Sequence, residues 1–118
     1  MKQFKRADRL SEQILRDVSL LLEQDIAELH VGLVTFTKVK LSDDLRYATV
    51  YYSTLSDDGK RVEVARYFDA ERKRIRQEIG RGLSMRHIPE FTFKFDPSIE
   101  NSVRIEQLLN EIKDTKPQ

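Results

Sequence analysis

Residues 70–95 read AERKRIRQEIGRGLSMRHIPEFTFKF, and this stretch decides the fold. It opens as a basic helix and closes as an apolar strand. Ile75, Ile79 and Leu83 recur every fourth residue, with Gly82 beside them, which is the spacing of one buried helix face. Lys73, Arg74, Gln77, Arg81 and Ser84 fall on the opposite, mostly cationic face. Pro89 disfavours helical geometry at Ile88, so the helix must end before it. Phe91, Phe93 and Phe95 then alternate with Thr92 and Lys94, the period of a half-buried strand. A cationic helix pinned to a sheet by its apolar side is a plausible presenter of charge to phosphate.

The rest of the composition bounds that idea. A chain of 118 residues, 39% hydrophobic and 35% charged, suits one domain with a single modest core. No apolar run approaches membrane-spanning length, so no membrane role is expected. The opening MKQFKRADRL is basic but lacks an apolar segment, so no signal peptide is expected. The absence of cysteine excludes disulfides and thiolate metal sites and agrees with a cytoplasmic setting. Net charge is only +1, yet it is segregated: residues 60–87 hold nine Lys/Arg against four Asp/Glu, and residues 96–114 hold five acidic residues against two basic ones.

Outward from the central stretch, a first helix is expected over Lys5 to Ala27, with Leu10, Ile14, Val18, Leu21 and Leu22 as its stripe. Gly32 breaks the chain before a strand from Leu33 to Leu41. Simple alternation there sets Val34 and Phe36 on one face and Thr35, Thr37, Val39 and Leu41 on the other, which leaves the inward side open. Ser42, Asp43 and Asp44 form a turn, and Tyr47 to Thr54 make a second strand, paired with the first as a hairpin. Ser56 to Gly59 supply turn and cap chemistry for a helix from about Lys60 that buries Val64, Ala65 and Phe68. Its stripe is interrupted at Glu71 and Arg72 without a change of phase, which predicts a kink or a loss of packing near residues 69–73. A last helix is expected over Ile99 to Ile112, followed by a short polar tail. The result is an α+β domain with helices backing one side of a small sheet.

Chemistry is concentrated in the cations. Arg72, Lys73, Arg74, Arg76, Arg81 and Arg86 lie within 15 residues, and cations that neutralise phosphates give salt-dependent affinity for RNA. The competing reading is a solvated face balanced by Glu71, Glu78 and the acidic last helix. Lys5, Arg6 and Arg9 make the first helix basic as well. Gly80-Arg81-Gly82 is best read as tight packing of Gly82 and a weakening helix end at Gly80, since no phosphate-loop pattern surrounds it. Half of any alternating strand faces the core, so Phe91, Phe93 and Phe95 are read as core rather than as base-stacking rings, and Tyr51 and Tyr52 point to opposite faces, so at most one is outward. His30 and His87, the only histidines, have no partner at metal-ligand spacing. No nucleophile motif is present, so no catalytic residue, metal or cofactor is expected, and an enzyme built on His87 with Asp43 and Asp44 is disfavoured.

The segment LSDDLRYATVYYS, Leu41 to Ser53, resembles the ribosome-binding factor A family. The resemblance extends through Arg6, Arg9, Leu10, Glu12, Gln13 and Ile14 in the first helix and Val34, Thr35, Thr37, Lys38 and Val39 in the first strand. It continues through Arg86, Ile88, Pro89, Glu90, Phe91, Thr92 and Phe93, then Asp96, Ser98, Ile99, Glu100, Arg104, Ile105, Leu108 and Leu109. It implies a type II KH-like domain over residues 1–112, in α-β-β-α-α-β order, with an added C-terminal helix. A kinked helix pair would replace the Gly-x-x-Gly loop. Where the family carries Ala-x-Gly at that kink, this chain has Glu71-Arg72-Lys73. The resemblance also implies a monomeric, non-enzymatic factor that binds the small ribosomal subunit precursor and its rRNA. Late maturation and 5′-end processing, notably in the cold, would be its task. The alternative is a protein-interaction module, docking on a ribosomal protein or an assembly GTPase through the acidic last helix.

Overall fold

The computed structural model describes residues 2–55 and 57–98, with side chains from residue 6 onward. The expected last helix, the polar tail and the side chain of Lys5 lie outside the described residues. Within them the order is α1 (Lys2–Leu29), β1 (Val34–Leu41), β2 (Tyr47–Thr54), α2 (Asp58–Gly80) and β3 (Glu90–Phe95). The sheet runs β1-β2-β3, antiparallel between the first two strands and parallel between the last two. Parallel pairing needs a crossover, and α2 supplies it. Both helices pack on one face of the sheet, α1 towards β1 and α2 towards β3.

Helix α1 buries Ile14, Val18, Leu22 and Ile26, a stripe of strict fourth residues. It ends where His30 and Gly32 take left-handed backbone angles, with φ of 54° and 84°. His30 therefore terminates a helix and is exposed. The hairpin turn holds through Ser42, whose hydroxyl donates to Asp44 at 2.7 Å and accepts from the Tyr47 amide at 3.0 Å.

A bulge settles the inward face of β1. Phe36 pairs with Tyr52, but the next pair is Lys38 with Tyr51, so Thr37 is an extra residue. The bulge changes the phase of the strand. Val34, Phe36, Val39 and Leu41 consequently all pack on the core, where simple alternation divides them. The Thr37 hydroxyl donates to Asp96 at 2.7 Å.

Phe68 of α2 joins all three strands. Its ring stacks on Phe93 at 4.5 Å and 11°, meets Tyr52 edge-on at 4.7 Å and tilts against Phe36 at 5.7 Å. Val64, Ile75 and Ile79 extend this contact along the helix, and Leu83 is buried just beyond it. Ala65, expected in the core, is exposed.

Where the resemblance implies a pair of helices, α2 is one helix over residues 58–80, and the expected loss of packing falls between Phe68 and Ile75. Asp57 caps it, its carboxylate accepting from the Lys60 amide at 2.9 Å. Glu71, Arg72 and Lys73 are good helix formers, and nothing in that segment breaks a helix. The two glycines exchange their expected roles. A Cβ on Gly80 would lie 2.9 Å from Ile88 Cγ1, whereas one on Gly82 would meet nothing closer than a carbonyl at 3.8 Å. Gly80 is therefore the site of close approach.

Candidate nucleic-acid interface

The two flanks of α2 carry different chemistry. Towards α1, the Arg74 guanidinium donates to Glu71 at 2.6 Å and to Asp25 of α1 at 3.0 Å, with Glu78 at 3.6 Å. The Tyr67 hydroxyl donates to the same Asp25 oxygen at 3.0 Å. Burial, reinforced by that bond to Asp25, pushes the Tyr67 phenol up to about 12. The hydrogen bond to Glu71 holds the Arg74 guanidinium still more firmly in its charged form. This polar clamp fills the place where the apolar stripe lapses between Phe68 and Ile75. Arg74 is thus held between two helices, which corrects its expected place on an open cationic face.

Towards β3, a cleft of about 280 Å³ opens between the helix and the strand. Arg72, Lys73 and Arg76 form its cationic wall, and Glu90 and Thr92 lie opposite. A hollow of about 160 Å³ continues it along the same seam, sharing Arg72 and Thr92. Arg72 and Lys73 are exposed. Arg76 is fixed, because its guanidinium donates to the carbonyls of Pro89 at 3.1 Å and Ile88 at 2.8 Å. Those bonds lock the approach to β3 against α2 and hold the Arg76 charge at the cleft rim. The amides of Glu90 and Asp96 donate inward, to Arg46 and Tyr52. By strand periodicity the backbone groups of Phe91 and Phe93 then face the outer edge of β3, which no other strand covers among the described residues.

Arg6, Arg9, Arg81 and Arg86 are exposed as well. Gln13 of α1 donates to the Gly82 carbonyl at 3.2 Å, so the basic start of α1 lies at the end where α2 stops. Arg6 and Arg9 share the helix side of Gln13, since each lies about two turns or fewer before it. The structure therefore divides the expected cations into a cleft group, an end group of Arg6, Arg9 and Arg81, and the clamped Arg74, and leaves Arg86 exposed after the end of α2.

Cations on the sheet escape a reading centred on the helices. Lys38, Tyr51 and Lys94 lie in one cross-strand row, and only the bulge at Thr37 puts Lys38 opposite Tyr51. Asp44, in the hairpin turn, is held below the usual carboxylate range by Ser42 and the Arg46 amide. Among the described residues no three His, Asp or Glu side chains gather as a metal site, and no helix is long and apolar enough to cross a membrane.

Residues 6–109 match the profile of a family described as ribosome-binding factor A. The protein of that name from Geobacter sulfurreducens is 41% identical over 113 residues, covering 96% of each chain. The crystal structure of ribosome-binding factor A from Thermus thermophilus superposes with a TM-score of 0.63 at 22% identity, covering 75% of this chain and 93% of that one. A homology model of the Thermus thermophilus protein, fitted into a cryo-EM map of its 30S complex, gives 0.51 at 20% identity over 69% of this chain and 93% of the other. These two structures share the mixed α+β fold with a three-stranded sheet.

Proposed function

The chain belongs to the ribosome-binding factor A family, and we propose that it acts as a non-enzymatic assembly factor on the small ribosomal subunit. Its ligand in this reading is the subunit precursor and its rRNA. Its role is late maturation and 5′-end processing, with particular weight in the cold, and it works as a cytoplasmic monomer. The fold is read as a type II KH-like arrangement over residues 1–112, with residues 113–118 as a tail. A continuous helix stands where such domains carry a Gly-x-x-Gly loop.

The observation that carries the reading is the cleft between α2 and β3. Its wall offers Arg72, Lys73 and Arg76 to phosphates, while the edge of β3, which no other strand covers among the described residues, offers backbone donors and acceptors beside them. Arg6, Arg9, Arg81 and Arg86 would extend the charge to flanking RNA, and Lys5 would join them.

The test is co-sedimentation with immature small subunits, together with RNA binding measured over a range of salt. Arg72→Ala and Lys73→Ala should each reduce the salt slope of log affinity by roughly 0.7–0.9, with the fold retained. An unchanged slope in the double variant would remove the cleft from the interface. A second reading has one observation in its favour. Leu20 and Leu33 are 73% and 70% exposed and border one groove between α1 and β1, a surface suited to a protein partner such as a ribosomal protein or an assembly GTPase.

A further inference from the structure

The face of the sheet turned away from the helices is built as a row of cations around an aromatic ring. Lys38 of β1 pairs with Tyr51 of β2, and Tyr51 pairs with Lys94 of β3. Strands spaced about 4.8 Å apart place the two lysines about 10 Å from each other with the ring between them. The Lys38 ammonium sits 4.7 Å from the centre of the Tyr51 ring, so that ring face is covered by an exposed, mobile-headed cation rather than by the core. Lys38, Lys40 and Lys94 are exposed, and Tyr51 is half-buried. Tyr47, 57% exposed, lies on the same face of β2 four residues earlier. Along a strand that spacing is about 13 Å. Thr92 belongs to this face and also borders the cationic cleft, so the two surfaces join around the edge of β3.

We propose that this open sheet face is a second RNA contact, a platform on which a base of an unpaired strand stacks on Tyr51 while Lys38 and Lys94 hold the adjoining phosphates. Aromatic rings stack on any base, and flanking cations supply sequence-independent affinity. The Lys38 ammonium leaves the ring for a phosphate as the base arrives. A duplex cannot use the platform, because its bases are already stacked on each other. The surface therefore selects single-stranded segments or loops, whereas the cleft contributes charge to either form. The inference rests on the RNA-binding reading above and assigns it a substrate class.

The experiment titrates the full chain with a short labelled oligouridylate and with an RNA duplex. Variants are Tyr51→Ala, Tyr51→Phe, the pair Lys38→Gln with Lys94→Gln, and the pair Arg72→Ala with Lys73→Ala. Circular dichroism checks each fold. Tyr51→Ala should weaken oligouridylate binding by about 5- to 140-fold, the range set by ~1–3 kcal/mol per stacked base. Tyr51→Phe should bind as the wild type does, and duplex binding should ignore both changes. The lysine pair should reduce the single-strand salt slope by about 1.4. Quenching of tyrosine emission on binding, readable because the chain has no tryptophan, should be smaller in Tyr51→Ala. Wild-type affinity of Tyr51→Ala for the oligonucleotide, or an equal loss on both RNAs, overturns the platform. If the Arg72/Lys73 pair still loses affinity for both RNAs in that case, the RNA-binding reading survives. A wild-type chain that binds neither RNA overturns both.

Discussion

Arg74 and Lys73 are neighbours in sequence and should behave as opposites. Arg74→Ala removes contacts to Glu71, Asp25 and Glu78 at 2.6, 3.0 and 3.6 Å. The four side chains are each between 35% and 39% exposed, so water screens them, and pairs of this kind contribute about 0.2–1 kcal/mol each. Three such pairs give about 0.6–3 kcal/mol. The upper part of that range is the expectation, because the deletion leaves three carboxylates facing each other. Lys73 is exposed on the cleft side, and Lys73→Ala should stay within about 0.5 kcal/mol of the wild type. Urea titrations of both variants measure the difference. A double-mutant cycle of Arg74→Ala with Asp25→Ala isolates the contact between helices, with an expected coupling of about 0.5–1 kcal/mol. RNA binding should reverse the order, with Lys73→Ala losing salt slope and Arg74→Ala keeping it. Equal stability of the two variants, with zero coupling to Asp25, would refute the clamp and return Arg74 to the open cationic face.

Other variants probe the core, the helix end and acid stability. Phe68→Ala should cost about 3–5 kcal/mol in a denaturant titration, because that ring contacts one residue from each strand. Gly80→Ala should destabilise, since overpacking against Ile88 costs about 1–3 kcal/mol and exceeds the helix-propensity gain, while Gly82→Ala should be nearly neutral; thermal melts rank them. Asp96 is held below its ordinary value, first by the Ser98 amide and then by the Thr37 hydroxyl. A depressed carboxylate contributes stability that is present above the unfolded value of about 3.9 and is lost as pH falls through the lower folded value. Asp96→Asn should therefore cost about 1–2 kcal/mol at neutral pH and flatten the acid limb of a stability-against-pH curve, whereas a parallel loss at every pH would show that the charge is irrelevant.

Local patterns were legible in the sequence where one contact partner repeats along an element. The stripe of α1, the alternation of β3 and the buried Ile75, Ile79 and Leu83 follow from periodicity, and the cap of α2 from the turn-forming residues Ser56 to Gly59. What failed depended on partners distant in sequence. The inward face of β1 required the bulge at Thr37, whose bond reaches Asp96, 59 residues away. The clamp joins Arg74 to Asp25 across 49 residues, so charge spacing alone placed Arg74 with Lys73. The contrast between Gly80 and Gly82 depends on Ile88, which lies past the helix end. For the candidate site, residue type was legible and grouping was not. Arg72, Lys73 and Arg76 face β3 only because of how α1 and β3 flank the helix.

The interrupted stripe of α2 then has a physical account. At 3.6 residues per turn, Val64, Phe68, Ile75 and Ile79 form the core line. Tyr67, Glu71, Arg74 and Glu78 run along one side of it, and Ala65, Asp69, Arg72 and Arg76 along the other. On the first side, Glu71, Glu78 and Asp25 pair with a single Arg74. Acidic charge is thereby gathered against α1 and neutralised in part. On the second side, Arg72, Lys73 and Arg76 face chiefly Asp69 and Glu90, leaving a cationic surplus along the cleft. A chain with a net charge of only +1 can in this way present a positive seam. A hydrophobic residue in place of Glu71 would repair the stripe but remove a carboxylate from Arg74, freeing that guanidinium to compete for phosphate on the wrong flank. The polar gap between Phe68 and Ile75 thus keeps the charge of α2 on the side where the cleft lies.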